Sequence, residues 1–393
     1  MRPICAWESV TDDSILDICF KPDGSQIVVA SGNRVLVYST LDGSLIQPLK
    51  GHKDTVYCVC YAKDGRRFAS GSADKCVIIW TQKLEGILKY NHNDAIQCLA
   101  YNPVTQRLLS CAVTDFGLWS PEQKRVDKTK VNSRITCCSW TNDGLYMALG
   151  LFNGTVCIRN KNGEEKVRIE RPDAHNSPIW CVAWCPSNTY SFYGPDEILD
   201  VLAIADWGQK LSFYQLSGKQ IGRDTHLGYD PCFLKWFSHG EFIIVGGSNK
   251  QCYLYSKGGV KLEMVGETDT SWVICGDVQP NSNNVVLGCH SGTMKFYQLM
   301  MATIHGLYKE RYAYRENMTD VIIQHLITEE KVRIKCREAV KKIAIYKERL
   351  AVQVADKIVI YEQYTGDICN LSARATTSVP DDLNIHLSDI VSS

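Results

Sequence analysis

The chain contains 393 residues, of which 45% are hydrophobic, so it can bury either one large core or the cores of several domains. Its 43 basic residues are balanced by 43 acidic residues, which argues against a nucleic-acid-binding protein or a generally basic membrane-binding surface. The N-terminal sequence MRPICAWESV lacks the apolar run of a signal peptide, and no stretch approaches the roughly 18 apolar residues that a membrane helix needs. We therefore expect a cytoplasmic protein.

The first apolar segments have the length and alternation of short β-strands. Residues 15–20 (ILDICF), 26–31 (QIVVAS) and 34–38 (RVLVY) are rich in valine, isoleucine and aromatic side chains. A Pro-Asp-Gly sequence, typical of a turn, separates the first two segments. This unit is predicted to be a small antiparallel sheet, and the protein is predicted to be all-β.

Residues 51–80 repeat this arrangement and add polar residues at fixed positions. The segment opens on Gly-His and carries Ser70, Asp74 and Trp80. It resembles one blade of a WD-repeat β-propeller. In that family the tryptophan N–H donates to the serine hydroxyl, which bonds the histidine ring, whose other nitrogen is held by the aspartate. The resemblance therefore implies a structural tetrad of His52, Ser70, Asp74 and Trp80.

A serine hydrolase triad is the alternative interpretation of Ser70, His52 and Asp74. No nucleophile-elbow sequence surrounds Ser70, and Trp80 already accounts for the arrangement. We therefore predict that the tetrad is architectural and that the protein has no catalytic residue.

The unit recurs along the chain with a period near 40 residues. Aligning each segment on the residue that closes its third strand gives gaps of 42, 39, 40, 55, 41 and 42 residues. Such a period predicts seven four-stranded blades that close a ring, over residues 1–299. The polar network is expected chiefly in the second blade, because the other blades lack parts of it; the third has Asn-His for Gly-His, and the fifth has Ala174-His175. The closing residues are Tyr38, Trp80, Trp119, Arg159, Tyr214, Tyr255 and Tyr297.

A strand from the N-terminus is predicted to complete the seventh blade. Residues 4–8 are the candidate for this outer strand, and residues 303–307 are the competing candidate. Either choice removes a free sheet edge from the ring.

The period breaks after the seventh unit. Residues 300–330 are aromatic and charged and are predicted to be a linker, although not a loose one. Residues 331–364 resume the pattern and are predicted to be the first blade of a second, incomplete propeller. Residues 365–393, rich in Ser, Thr, Asp and Ala, are predicted to be a disordered tail.

The cysteines are predicted to be small buried side chains and not metal ligands. The chain has 18 cysteines, and their pairs lack the spacing of a zinc ribbon. No glycine-rich phosphate loop is present either, so we expect no metal and no cofactor. Five of the cysteines fall at the third position of a first strand: Cys58, Cys98, Cys137, Cys181 and Cys275.

Three aromatic residues are predicted to form part of a partner-binding site. Phe116, Phe152 and Trp207 lie in or beside the turns between second and third strands of three consecutive blades, where most blades have small or polar residues. Clustered surface aromatics are typical anchors of protein interfaces. The alternative is that each ring folds back onto its own blade.

The later part of the chain carries the most specific resemblance. The segments YKERYAYRENMTDVIIQHL and VRIKCREAVKKIAIYKERLAVQ, together with the ring of seven, resemble the N-terminal part of the WD-repeat subunits of intraflagellar transport complex A. The rest of the second propeller and the long helical-repeat arm of that family are missing, so the chain looks like a truncated form.

The resemblance implies a non-enzymatic scaffold or adaptor that acts in retrograde ciliary transport, ciliary cargo entry and cilium assembly. Its implied partners are other subunits of complex A and ciliary cargo or adaptor proteins, and its implied locations are the cytoplasm, the cilium and the basal body. The repeats alone are also compatible with an adaptor of another complex, such as a ubiquitin-ligase substrate receptor or a vesicle-coat subunit.

Overall fold

In the computed structural model of the chain, every regular element of the described part is a β-strand, and the strands form nine four-stranded sheets. No helix within that part is long and apolar enough to cross a membrane. The described residues are 1–120, 126–171, 177–186, 200–268, 271–316, 318–336, 338–354, 357–363 and 371–376.

Seven sheets form the first ring, which confirms the predicted seven-bladed propeller. The innermost strands contact one another in sequence, and the innermost strand of the seventh blade contacts that of the first. The 28 strands of the ring are β1 (Arg2–Val10), β2 (Ile15–Phe20), β3 (Gln26–Ser31), β4 (Arg34–Ser39), β5 (Leu45–Lys50), β6 (Val56–Tyr61), β7 (Arg67–Ser72), β8 (Cys76–Thr81), β9 (Gly86–Asn91), β10 (Ile96–Tyr101), β11 (Leu108–Ala112), β12 (Asp115–Trp119), β13 (Asp127–Lys130), β14 (Ile135–Trp140), β15 (Tyr146–Leu151), β16 (Val156–Asn160), β17 (Glu165–Ile169), β18 (Ile179–Trp184), β19 (Val201–Asp206), β20 (Lys210–Gln215), β21 (Gln220–His226), β22 (Pro231–Trp236), β23 (Phe242–Gly247), β24 (Gln251–Ser256), β25 (Lys261–Glu267), β26 (Val273–Val278), β27 (Asn284–Cys289) and β28 (Thr293–Met300).

The N-terminal strand completes the seventh blade. The strand order of that sheet is β1-β28-β27-β26, so β1 lies outermost beside β28. The predicted segment 4–8 lies within β1, whereas most of the competing segment 303–307 lies in a strand of another sheet. The ring is therefore closed by strands from both of its sequence ends.

Each innermost strand carries a β-bulge at the same place. In the second blade Val56 pairs with Ser72 and Cys58 pairs with Gly71, which leaves Tyr57 unpaired between them, and the other six blades have the same shift. A bulge bends the strand and increases its local twist. The side chain after the bulge then faces a small residue on the second strand.

The core of the first ring is a set of apolar clusters, each of which joins two neighbouring blades. One cluster combines Val28 and Val37 of the first blade with Phe68 and Trp80 of the second, all nearly inaccessible to solvent. Because burial of apolar surface contributes roughly 25 cal/mol per Å², this contact between blades stabilises the ring as a unit.

The remaining residues form two further sheets, so the predicted linker over 300–330 is wrong. Three strands lie almost entirely within that range, and the sheet that they form with β32 spans residues 305–335. The first ring itself ends at Met300, one residue past the predicted boundary. The strands of the two sheets are β29 (His305–Tyr308), β30 (Arg311–Arg315), β31 (Asp320–His325), β32 (Lys331–Lys335), β33 (Lys342–Tyr346), β34 (Arg349–Gln353), β35 (Ile358–Gln363) and β36 (Leu371–Thr376).

The single blade predicted over residues 331–364 is also corrected. Its first segment, β32, is the outer strand of the sheet over residues 305–335, and the next sheet begins at β33. The fourth strand of that sheet is β36, which lies inside the segment predicted to be a disordered tail and pairs with β35. The rest of that tail lies outside the described residues.

Candidate functional site

The predicted tetrad of the second blade is a continuous chain of hydrogen bonds. The Trp80 indole N–H donates to the Ser70 hydroxyl at 2.9 Å, and the same hydroxyl lies 2.8 Å from His52 Nε2. His52 Nδ1 lies 3.2 Å from both carboxylate oxygens of Asp74. Because the Asp74 carboxylate can only accept, Nδ1–H donates to it, and in the neutral ring Nε2 then accepts the Ser70 hydroxyl proton.

This arrangement requires a neutral imidazole. Burial disfavours the charged ring and lowers the pKa of His52 below its usual 6.5, although the Asp74 carboxylate acts in the opposite direction. The pKa of Asp74 is lowered to about 2, against the effect of its own burial, because the backbone N–H groups of Lys53 and Cys76 donate to it. The network is thus satisfied with an ionised aspartate and a neutral histidine.

The same geometry excludes the hydrolase interpretation of this serine. Ser70 has 0% of its surface exposed, and its oxygen is already engaged by Trp80. A nucleophile must reach a substrate carbon, and no substrate can approach this hydroxyl without unfolding the blade. The tetrad therefore ties together the second strand, which carries Ser70, the third strand, which carries Trp80, the turn between them and the loop before the first strand.

The third blade carries two of the three links of the tetrad, so the expectation of a network chiefly in the second blade is too narrow. His92 Nδ1 lies 2.6 Å from Asp115, and His92 Nε2 lies 2.8 Å from the Ser110 hydroxyl. The Ser110 hydroxyl also lies 3.3 Å from the Gly117 carbonyl oxygen. The available signal was the Asn-His dipeptide followed 23 residues later by an aspartate.

In the fifth blade an arginine that forms a buried ion pair takes the place of the histidine. The Arg171 guanidinium contacts the Asp206 carboxylate and donates to the Ser212 hydroxyl at 3.0 Å. Arg171 follows the outer strand β17 by two residues, just as His52 follows β5. Ala174-His175, predicted to hold this position, lies outside the described residues. A single arginine inside a polar loop gives little sequence signal, which is why the pair was missed.

Phe116 does not belong to a surface site, and this part of the prediction is wrong. Its ring is 1% exposed and packs in the core between the third and fourth blades. The Arg159 guanidinium lies over the ring, 5.4 Å from its centroid. Arg159 stands where other blades have an aromatic residue. Its guanidinium group covers Phe116 and contributes a cation–π contact.

Phe152 and Trp207 are exposed at the turns where the prediction placed them. Their exposed fractions are 44% and 41%. One face of Trp207 stacks on Trp180 with a centroid distance of 4.3 Å, and the other side remains open to solvent. Both turns join the second and third strands of adjacent blades, so both side chains lie at the same end of the ring. We call Phe152, Trp180 and Trp207 the aromatic patch.

Most of the described cysteines behave as the sequence predicted. All of them are free thiols, and burial raises the pKa of Cys58, Cys181 and Cys275 above the usual 9.0. A buried thiol of raised pKa stays protonated and packs as a small apolar side chain.

A family model described as the IFT122 first beta-propeller matches residues 14–298, which is more than half of the chain. The chain belongs to the intraflagellar transport protein 122 family. A second model, the IFT122 second beta-propeller, matches residues 305–393 and begins at the first residue of β29. This start agrees with the sheet that replaces the predicted linker.

Curated members of the intraflagellar transport protein 122 family are similar over nearly the whole chain. Proteins named intraflagellar transport protein 122 homolog are 64% identical in Xenopus tropicalis, 63% in Mus musculus and 55% in Homo sapiens, each over 96% of this chain. The alignments cover 32%, 31% and 35% of those proteins. The chain therefore spans about a third of the length of the curated relatives it matches.

Proposed function

We propose that this protein is a non-enzymatic scaffold or adaptor subunit of the intraflagellar transport A particle. In this role it acts in retrograde ciliary transport, ciliary cargo entry and cilium assembly. Its partners are other subunits of complex A and ciliary cargo or adaptor proteins, and it is located in the cytoplasm, at the basal body and in the cilium.

The observation that carries this proposal is the match to two successive propeller models of one family, with relatives that bear the name of a transport protein. The chemistry of the described residues is compatible with a structural role. The Ser-His-Asp groups are buried and satisfied by Trp80 or by backbone groups, so they serve as internal braces.

The aromatic patch is the surface that we assign to a partner protein. Trp207 is held in one orientation by its stack on Trp180, so little conformational entropy is lost when its open side is covered. Aromatic side chains of this kind are enriched among the residues that dominate interface energy. Phe152, on the neighbouring blade, extends the apolar area along the same end of the ring.

The test is affinity capture of this chain from ciliated cells, comparing the wild type with the double variant Phe152→Ser/Trp207→Ser. We expect the wild type to recover other subunits of complex A and the double variant to lose at least one of them. Trp272→Ser is the control, because Trp272 is 49% exposed and lies at the same end of the ring but in the seventh blade, which contributes no residue to the patch. Melting curves of all three proteins establish that they are folded.

Two results would count against the proposal in different ways. Recovery of ubiquitin-ligase or vesicle-coat components in place of transport subunits would favour an adaptor of another complex. Equal recovery of transport subunits by the double variant and the wild type would keep the transport role and remove the aromatic patch as its binding surface.

A further inference from the structure

Three thiols from two neighbouring blades lie within reach of a single metal ion. The Sγ atoms of Cys98, Cys111 and Cys138 all lie within 4.8 Å of one another. Cys98 and Cys111 are directly opposite each other on β10 and β11, and Cys138 lies on β14, the innermost strand of the next blade. We propose that these residues, the thiol cluster, bind a Cu(I) ion through three thiolates.

The cluster exists because, on the second strand opposite the bulge, the third blade has a different residue from its neighbours. The residue opposite the third position is Gly71 in the second blade and Gly150 in the fourth. A methyl group at either glycine would collide with the isoleucine that begins the next blade's innermost strand. In the third blade this residue is Cys111, so a side chain is directed towards the fourth blade.

The fourth blade departs from the pattern at the place that receives this side chain. Cys138 is the fourth residue of its innermost strand, where the second and fifth blades have Val59 and Val182. A valine there would fill the space with methyl groups, whereas Cys138 presents a third sulfur. Two separate departures from the repeat therefore produce one convergent group.

The ligand set determines the metal class. Thiolates are soft ligands that select Cu(I), zinc or iron–sulfur clusters. Structural zinc takes four protein ligands, and within the described ranges no fourth histidine, cysteine or carboxylate joins this group. Cu(I) accepts three sulfur ligands in a planar arrangement, which is the number present here. Binding converts the three thiols to thiolates and releases their protons to solvent.

Two of the three cysteines are partly exposed, and a bound ion would join two blades. Cys111 has 0% of its surface exposed, whereas Cys98 and Cys138 are half-buried. A bound ion would link β10 and β11 of the third blade to β14 of the fourth through covalent bonds to sulfur. Since the fold holds the three sulfurs together, the ion should bind the folded ring more tightly than the unfolded chain and so raise the melting temperature of the ring.

The test is an anaerobic titration of the reduced full chain with Cu(I) in competition with a chromophoric Cu(I) chelator. We expect one Cu(I) per chain to be retained when the chelator is in excess, with three sulfur neighbours by X-ray absorption. The variant Cys98→Ala/Cys111→Ala/Cys138→Ala should lose this ion. The matched control Cys181→Ala/Cys252→Ala/Cys275→Ala removes three other buried thiols and should keep it.

A single variant covers the case in which the triple variant fails to fold. Cys138→Ala leaves two ligands and should weaken Cu(I) binding at least about tenfold, because losing even an outer-shell partner costs about 10- to 100-fold. The proposal is overturned if the wild type retains no Cu(I) against the chelator, if both triple variants retain equal amounts, or if Zn²⁺ displaces Cu(I) from the site.

Discussion

The guanidinium of Arg171 and the carboxylate of Asp206 form an ion pair inside the fifth blade, with 8% and 0% of the two residues exposed. Asp206 also accepts the Lys210 backbone N–H at 3.2 Å, and Arg171 reaches the Ser212 hydroxyl. Arg171 occupies the place that a histidine holds in the second and third blades, whereas Asp206 pairs with the first residue of the innermost strand, as Ser72 does in the second blade. One architectural position is therefore satisfied by two different chemistries.

Removing one partner of this pair should destabilise the ring strongly. Arg171→Met leaves a buried carboxylate without its counter-charge, and we expect the free energy of unfolding to fall by about 3–5 kcal/mol. The double variant Arg171→Met/Asp206→Leu should recover most of this loss, because it removes the uncompensated charge. Urea denaturation of the single and double variants measures both values. A single variant as stable as the wild type would show that the pair contributes nothing.

The indole hydrogen bond of the second blade can be isolated by comparing two tryptophans. Trp80→Phe removes the N–H that donates to Ser70, whereas Trp119→Phe removes the same volume in the third blade, where Ser110 contacts His92 and the Gly117 carbonyl. We expect Trp80→Phe to cost about 1 kcal/mol more, the net value of one buried hydrogen bond. Equal losses in chemical denaturation would contradict this account of the tetrad.

The two buried histidines should make the protein less stable in mild acid. Burial lowers the pKa of His52 and His92 below 6.5 in the fold, so the unfolded chain binds more protons near that pH. Stability is therefore lost as the pH falls through about 6.5, and the loss stops below the folded pKa.

This effect can be measured as the melting temperature between about pH 7.5 and about pH 5.5. His52→Gln/His92→Gln should show a shallower pH dependence than the wild type. His290→Gln, at an exposed histidine, should retain the wild-type slope. An unchanged slope in the double variant would mean that other groups control the acid response.

The glycine opposite the bulge should not tolerate a methyl group. An added Cβ at Gly71 would lie 2.8 Å from Cys58 Sγ and would also collide with Ile96 of the next blade. Gly71→Ala should therefore cost about 1–3 kcal/mol. At Gly86 the added atom would lie 3.4 Å from Trp80, so Gly86→Ala should be nearly neutral. Chemical denaturation of the two variants in parallel tests whether the collision of the added methyl group, and not the loss of glycine itself, lowers the free energy of unfolding.

The sequence predicts the first ring well because each blade repeats the same physical requirements. Alternating apolar residues and turn residues such as Pro-Asp-Gly recur near a period of 40, and this regularity survives the loss of individual motifs. Residues such as Phe116 were harder to place. A position beside a turn implies exposure, but Phe116 lies in β12 and is covered by Arg159, a contact that depends on the neighbouring blade.

The sheet over residues 305–335 was predicted to be a linker, and the next sheet was given the wrong first strand, because the turns of both lack the usual turn residues. Tyr308 pairs with Arg311 and Tyr346 pairs with Arg349, so each hairpin turns on a Lys-Glu dipeptide. Lysine has a positive φ in both turns, 50° at Lys309 and 49° at Lys347, a conformation usually left to glycine or asparagine. The sequence YKER occurs at both places, 38 residues apart, and this repeat was the signal that could have revealed two blades.

The position of β1 beside β28 has a consequence for biosynthesis. β1 is synthesised well before its partner, which is complete only after residue 300 has been made. At roughly 5–20 residues per second, this interval lasts on the order of tens of seconds. During that time β1 stays without its neighbour, so the ring can close only when a strand made early is captured by one made late.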